Sequence, residues 1–126
     1  MKKICVDFDG VIAFDSGWLG KDHFGAPISG AKEFLTKLKE KYEVIIFTCR
    51  CCEEVCGIEK AHLLAYRVRE YLDRHELPYD EIYVGQGKPV ASYYIDDRGI
   101  SCLPQLDSEA YDKVLDVVMK DDTPAA

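Results

Sequence analysis

Short apolar runs alternate along this chain with segments of helical periodicity, and this alternation constrains the fold more than any other feature. The run Val44-Ile45-Ile46 contains no polar residue, which is typical of a strand buried on both faces. The segment before it has the i, i+3, i+4, i+7 apolar spacing of an amphipathic helix, at Ala31, Phe34, Leu35 and Leu38. The alternation predicts an α/β fold with a mostly parallel sheet.

The remaining elements follow from the same two periodicities and from turn residues. Strands are predicted at 3–8, 43–47, 81–84, 93–95 and 100–103, and helices at 31–41, from 58 to the stop at Leu77-Pro78, and after Ser108. The second helix is expected to bury five residues, namely Ile58, Ala61, Ala65, Val68 and Leu72. Ser108 is the predicted N-cap of the last helix.

Length and composition limit the class of protein. With 126 residues, the chain is long enough for one domain and too short for two, so we predict one domain over 1–120 and a frayed tail over 121–126. The fractions of hydrophobic residues, 48%, and charged residues, 31%, argue against a disordered or fibrous protein. The net charge of -7 argues against nucleic acid or an anionic membrane as partner, although a local basic patch stays possible.

Neither a signal-peptide core nor a membrane-spanning stretch is present in the sequence. We therefore predict a cytoplasmic protein with reduced cysteines, including a core position for Cys5. Four further cysteines crowd one loop, at Cys49, Cys51, Cys52 and Cys56. Free thiols, a redox-sensitive gate and a zinc site all stay open for this loop, although its spacing lacks paired Cys-x-x-Cys knuckles.

Polar residues follow four of the predicted strands. In an open parallel sheet, ligands bind beyond the carboxyl ends of the strands. The four strand exits carry Asp7 and Asp9, Thr48 and Arg50, Lys88, and Asp96-Asp97-Arg98. Each element alone also has an ordinary reading as a cap, a solvated turn residue or surface charge. Together, the carboxylates suit Mg²⁺, while the lysine and the hydroxyl suit phosphoryl oxygens.

The order of these motifs resembles the haloacid dehalogenase superfamily of phosphohydrolases. The likeness lies in Asp7-Phe8-Asp9-Gly10-Val11, Thr48, Lys88 before Pro89, and Asp96-Asp97, which span most of the chain. It implies a three-layer Rossmann-like fold and a phosphatase that acts through an aspartyl-phosphate. Asp7 would be the nucleophile and Asp9 the general acid and base.

The same resemblance implies roles for the other motif residues. Thr48 and Lys88 would hold the transferring phosphoryl group. Mg²⁺ would be bound by the Asp7 carboxylate, the Asp9 backbone carbonyl and Asp96, with Asp97 supporting from further out. An acid at position 9 also favours ester cleavage over dehalogenation, because a leaving alkoxide needs a proton and a leaving halide does not.

Members of this family commonly select substrates with an inserted cap domain, and here the spacing leaves no room for one. Only 11–29 separate the first strand from the first helix, which predicts an open cleft, partly covered by a short flap or by a second subunit of a homo-oligomer. Trp18 in that flap could stack on a ring or form a local hydrophobic plug, and His23 is expected at the surface. Arg50 and Arg98 could each clamp a second anionic group or form a salt bridge at the rim.

Two other functions compete with a phosphatase. A receiver-like signalling domain shares the length, the α/β sheet, Mg²⁺ and the phosphorylated Asp, but its motif order differs, because here Lys88 precedes Asp96-Asp97. A catalytically silent binding protein with this fold is the third possibility. The phosphorylated substrate itself, small or bulky, is left open by the sequence.

Overall fold

The computed structural model describes residues 1–15, 24–48, 57–84, 89, 91–96, 100–102 and 104–121. Within these ranges it contains five strands and three helices. The strands are β1 Lys2–Asp7, β2 Tyr42–Phe47, β3 Glu81–Ile82, β4 Tyr93–Asp96 and β5 Ile100–Ser101. The helices are α1 Ala31–Lys39, α2 Ile58–Arg74 and α3 Ala110–Val118.

The strands form one sheet in the order β3-β2-β1-β4-β5, and the four neighbouring pairs are all parallel. The predicted α/β, Rossmann-like fold is confirmed. In chain order, β2 and β3 lie on one side of β1, and β4 and β5 then lie on its other side. The direction of winding therefore reverses between β1 and β4, which makes their carboxyl ends the topological switch point of the sheet.

The two central strands are apolar because they are covered on both faces. Ile4 and Val6 point to one side of β1 and Cys5 to the other, and all three are buried. In β2, the Tyr42 ring is also buried, and its hydroxyl donates a hydrogen bond of 2.6 Å to the Val118 carbonyl at the end of α3. This bond satisfies a polar group that would otherwise be costly to bury.

The apolar face of α1 agrees with the prediction, and that of α2 is only partly as predicted. The buried residues of α1 are Ala31, Phe34, Leu35 and Leu38, and those of α2 are Ala61, Leu64, Val68, Tyr71 and Leu72. The predicted core position of Ile58 is wrong, since its side chain is 64% exposed, and Ala65 is only half-buried. Ile58 is the first residue of α2.

The predicted N-cap of the last helix is one residue too early. Glu109 is the N-cap of α3, without a side-chain capping bond. Asp107 supplies the local hydrogen bonding instead, because its Oδ1 accepts from the Glu109 N–H at 2.9 Å and its carbonyl accepts from the Ala110 N–H at 3.1 Å. An aspartate that accepts a bond two residues ahead is a common turn former.

The last described residue, Asp121, is bound to the sheet. Its carboxylate accepts a hydrogen bond from Lys2 Nζ at 2.9 Å and another from the Tyr93 hydroxyl. Residues 122–126 lie outside the described residues. No helix in the described part of the chain has the length and apolar character needed to span a bilayer.

Candidate active site

The acidic pair and Thr48 meet at the carboxyl ends of β1 and β2. Asp7 is paired with Phe47 in the parallel ladder, so Asp9 and Thr48 follow the two strands side by side. The Thr48 hydroxyl donates a hydrogen bond of 3.1 Å to Asp9 Oδ2. Thr48 is 2% exposed, and it is the one polar or charged residue among the described ones that is buried. The structure therefore brings together Asp7, Asp9 and Thr48.

A tight loop holds Asp9 at this edge. The Phe8 carbonyl accepts hydrogen bonds from the N–H groups of both Ile12 and Ala13, at 3.0 and 2.9 Å, and the Gly10 N–H donates to the Ala13 carbonyl at 2.8 Å. Gly10 has φ +83°, a left-handed conformation that glycine adopts without strain. The chain consequently turns back within a few residues, and Asp9 stays beside the strand end.

Two short antiparallel segments, 11–15 and 24–28, follow this loop, and we call them the arms. The Phe14 N–H donates to the Ala26 carbonyl at 2.7 Å, and the Ile28 N–H donates to the Ile12 carbonyl at 2.9 Å. A Cβ on Gly25 would lie 1.9 Å from the Phe14 carbonyl oxygen, so the close approach of the arms requires glycine at this position. These arms form the base of the predicted flap, whereas Trp18 and His23 lie outside the described residues.

Side chains from three other parts of the chain hold the arms in place. The Tyr71 hydroxyl of α2 donates to the Gly25 carbonyl at 2.6 Å, and the Tyr111 hydroxyl of α3 donates to the Val11 carbonyl. Gln105 binds the backbone of Asp15 in both directions, accepting from its N–H and donating to its carbonyl at 3.0 Å. Both arms are thus fixed to the helical framework of the domain.

An aromatic cluster lies directly under the acidic pair. The Phe8 ring, between Asp7 and Asp9 in the chain, contacts Tyr71 and Phe24 edge to face, with ring centroids 5.1 and 5.6 Å apart. Burial raises the pKa of the Tyr71 hydroxyl to about 12; the positive charge of Arg74 opposes this shift and the negative charge of Asp9 adds to it. Tyr71 is therefore a neutral hydrogen-bond donor at neutral pH.

The carboxyl end of β4 completes this region. Val6 is paired with Ile95, so β1 and β4 end next to each other, at Asp7 and Asp96. Carboxylates at two adjacent strand ends are hard oxygen donors, which suits Mg²⁺. The described residues contain no group of three or more His, Cys, Asp or Glu side chains that could hold a metal, and the Asp96 side chain lies outside them. The donor chemistry fits magnesium, and the coordination geometry stays a prediction.

Several predicted site residues lie outside the described residues. They are Arg50, Lys88, Asp97, Arg98 and the cysteines at 49, 51, 52 and 56. Cys5 and Cys102 are buried in the core, and burial raises the pKa of Cys102 to about 12. A buried thiol with so high a pKa is chemically inert at neutral pH.

Sequence reasoning missed the residues that support the site from a distance. Tyr71 lies three positions after Val68 on the buried stripe of α2, so periodicity could have indicated its burial but not its partner. Gly25 resembles any other loop glycine in the sequence. Gln105 carries no motif at all, because its role depends on the place where Asp15 arrives in the fold.

Comparison with known proteins supports the fold. No protein-family model matches the chain, and no curated protein does so either. A solved target protein from Vibrio cholerae has 27% sequence identity and a TM-score of 0.57, over 92% of this chain and 98% of its own. D,D-heptose 1,7-bisphosphate phosphatase from Burkholderia thailandensis has 17% identity and a TM-score of 0.40, over 66% of this chain and 52% of its own. The second likeness is too distant to carry a functional argument.

Proposed function

We propose that this protein is a magnesium-dependent phosphatase that hydrolyses phosphate monoesters through an aspartyl-phosphate. One observation carries the proposal: Thr48 Oγ1 donates a hydrogen bond of 3.1 Å to Asp9 Oδ2 at the carboxyl edge of the sheet. Thr48 directly follows Phe47, Asp9 lies two residues after Asp7, and Phe47 and Asp7 are paired in the ladder. A nucleophile, an acid and a hydroxyl donor gathered at a topological switch point suit phosphoryl transfer. The motif order, similar to that of the haloacid dehalogenase superfamily, supports the same reaction.

In the first half of the proposed reaction, an Asp7 carboxylate oxygen attacks phosphorus and the bond to the leaving oxygen breaks. Asp9 gives its proton to that oxygen, so that the product leaves as an alcohol. In the second half, Asp9 takes a proton from a water molecule that attacks phosphorus. The bond between phosphorus and Asp7 then breaks, which releases inorganic phosphate and restores both carboxyl groups.

The contact of Thr48 with Asp9 is compatible with both halves. A hydroxyl can donate to a carboxylate, and it can accept from a carboxylic acid, so the contact can persist when Asp9 changes protonation state. A fixed partner also keeps Asp9 pointing into the site. Thr48 and Lys88 are proposed to hold the phosphoryl oxygens, which gain negative charge in the transition state. Since the Thr48 hydroxyl has a single proton, it donates to a phosphoryl oxygen while it accepts from protonated Asp9, and it donates to Asp9 when that group is ionised.

Magnesium would be held by the Asp7 carboxylate, the Asp9 backbone carbonyl and Asp96, with Asp97 in support. When bound, the ion would offset the repulsion between the anionic nucleophile and the anionic phosphate. The Gly10 turn keeps the Asp9 backbone at the edge of the sheet, which is a requirement for that carbonyl to serve as a ligand.

The strand order argues against the receiver alternative. Receiver-like domains follow the flavodoxin-like order 2-1-3-4-5, in which the switch point lies between the first and third strands. The order here is β3-β2-β1-β4-β5, with the switch between β1 and β4. A silent binding protein stays the competing function, and only a measurement of turnover separates it from an enzyme.

The test is release of phosphate from a generic aryl phosphate with and without Mg²⁺. We expect Mg²⁺-dependent turnover in the wild type and loss of at least roughly 10³-fold in Asp7→Asn, because the nucleophile is removed. Asp112→Asn is the matched control, since Asp112 is an exposed residue of α3. Equal inactivity of the wild type and Asp7→Asn across a broad panel of phosphate esters would contradict the proposal.

A further inference from the structure

An open cleft lies between the arms and the last turn of α2. It has a volume of about 370 Å³. The cleft is lined by the aromatic rings of Phe24 and Tyr71, by the small residues Ala26 and Pro27, and by the basic side chains of Arg74 and His75. The Tyr71 and His75 rings contact each other, with centroids 4.6 Å apart. Such a wall offers flat apolar surface beside a guanidinium.

Arg74 differs from several exposed lysines of this acidic chain, which form ion pairs with carboxylates. The exposed Lys32, Lys113 and Lys120 each form a salt bridge, with Glu76, Asp107 and Asp116 respectively. In the described part of the chain, no carboxylate forms a salt bridge with Arg74, and the charge of its guanidinium acts on the Tyr71 hydroxyl in the cleft. A guanidinium can bind a carboxylate or a phosphate through two parallel hydrogen bonds.

The cleft is connected to the acidic pair by short structural links. Tyr71 and Phe24, which line it, contact Phe8 between the two aspartates. Pro27, which also lines it, is bridged to Ala13, and Ala13 is bridged to Asp9. Two bridged backbone steps therefore link this wall of the cleft to Asp9.

We propose that this cleft receives the non-reacting end of the substrate and that Arg74, with His75 beside it, binds a second anionic group there. The inference rests on the proposed phosphatase function and narrows its substrate class. The substrate is a phosphate ester that carries a second anionic group, a carboxylate or another phosphate. The aromatic rings and Pro27 cover the apolar part between the two groups.

A purely structural role for Arg74 makes a different prediction. A cation in the last turn of a helix interacts favourably with the helix dipole and stabilises the fold. Loss of that interaction would lower the stability of the protein and affect all substrates alike. A binding role affects only substrates that carry the second anionic group, and it does so through KM.

The experiment compares three series of substrates at matched chain lengths: alkyl phosphates, ω-carboxyalkyl phosphates and alkyl bisphosphates. For the wild type, we expect kcat/KM to be at least about tenfold higher when the tail is charged and long enough to reach Arg74. The carboxylate and bisphosphate arms show which anion is preferred. In Arg74→Gln, the ratio between charged and uncharged tails should fall to about one, mainly through KM.

Arg69→Gln is the matched control, because Arg69 lies on the same helix and interacts with Tyr79 rather than lining the cleft. It should retain the preference of the wild type. An active wild type without preference for charged tails, or an equal loss of preference in Arg69→Gln, would overturn the inference while the proposed function stands.

A phosphate-free probe separates the two proposals if no substrate turns over. Hexanoate is titrated into the wild type and Arg74→Gln, and the ring protons of His75 are followed by NMR. Saturable shifts that disappear in Arg74→Gln support anion binding in the cleft even if the phosphatase proposal fails. An absence of shifts in the wild type would refute the cleft as an anion site.

Discussion

Among single residues, Thr48 says most about the site, because it is buried and contacts a charged group. It is 2% exposed, and its hydroxyl donates to Asp9 at the edge where two parallel strands end. Its place after the strand and its order among the motifs were predictable from the sequence. Its partner was not, because Asp9 comes from a different strand and the pairing depends on the register of β1 with β2.

Replacement of Thr48 by Val keeps the shape of the side chain and removes the hydroxyl. We expect phosphatase activity to fall by about 10²-fold or more, since a donor to the transferring group and the partner of Asp9 are both lost. The free energy of unfolding should fall by only about 1 kcal/mol. Thr36→Val is the control, because Thr36 is exposed and donates to the Lys32 carbonyl within α1. Similar kinetic losses in both variants would contradict a role for Thr48 in the site.

Gly25 shows how a single missing Cβ permits the arms to meet. In Gly25→Ala, the new Cβ would lie 1.9 Å from the Phe14 carbonyl oxygen, so the arms must separate. We expect a loss of about 2 kcal/mol or more in the free energy of unfolding, measured by urea denaturation.

Gly57→Ala is the comparison for that variant. Among the described residues, no atom would lie within 4 Å of a Cβ on Gly57, but its φ of +84° strains any other residue. That strain costs about 1 kcal/mol. A loss in Gly25→Ala no larger than the loss in Gly57→Ala would contradict the steric explanation.

Among the secondary-structure elements, the strands and helices were predicted to within a few residues of their observed ends, because apolar periodicity determines them. The faces and contacts of the elements were predicted less well. In α2, exposed apolar residues such as Ile58, Leu63 and Tyr66 lie outside the buried stripe, so counting apolar residues does not identify one face. The contact of α2 with the arms through Tyr71 depends on tertiary packing, which a single sequence does not report.

The hydrogen bond from Tyr71 to Gly25 can be removed without loss of the ring. In Tyr71→Phe, we expect faster amide hydrogen exchange at Phe14 and Ile28, because the arms lose one of their attachments to α2. The free energy of unfolding should fall by about 1 kcal/mol. Tyr79→Phe is the control, since its hydroxyl bonds Asp73 on the surface. Unchanged amide exchange in the arms of Tyr71→Phe would contradict a role for this hydrogen bond in holding the arms.

In the molecule as a whole, two tyrosine hydroxyls and one thiol are buried in their neutral forms. Burial raises the pKa of Tyr71 and Cys102 to about 12 and also raises that of Tyr111. Because the folded-state pKa values lie above the ordinary values of 10.0 and 9.0, the folded state favours the neutral forms. Their contribution to stability is complete below about pH 9 and is lost as the pH rises through 12.

We therefore expect the free energy of unfolding to fall steadily above pH 9. Urea denaturation at a series of pH values measures it, and tyrosine absorbance reports ionisation. Tyr111→Phe should flatten the dependence, because it removes one titrating group from the core. Constant stability of the wild type up to pH 11 would contradict the shifts.

The central position of β1 has a consequence for how the protein is made. During synthesis, β1 leaves the ribosome long before β4, yet Ile4 must pair with Tyr93 and Val6 with Ile95. A contact between residues so distant in sequence forms slowly, because a long segment of chain must be ordered first. The acidic pair at the end of β1 is thus synthesised early but gains its second neighbouring strand late. Nascent chains truncated before β4 should not yet contain a competent site.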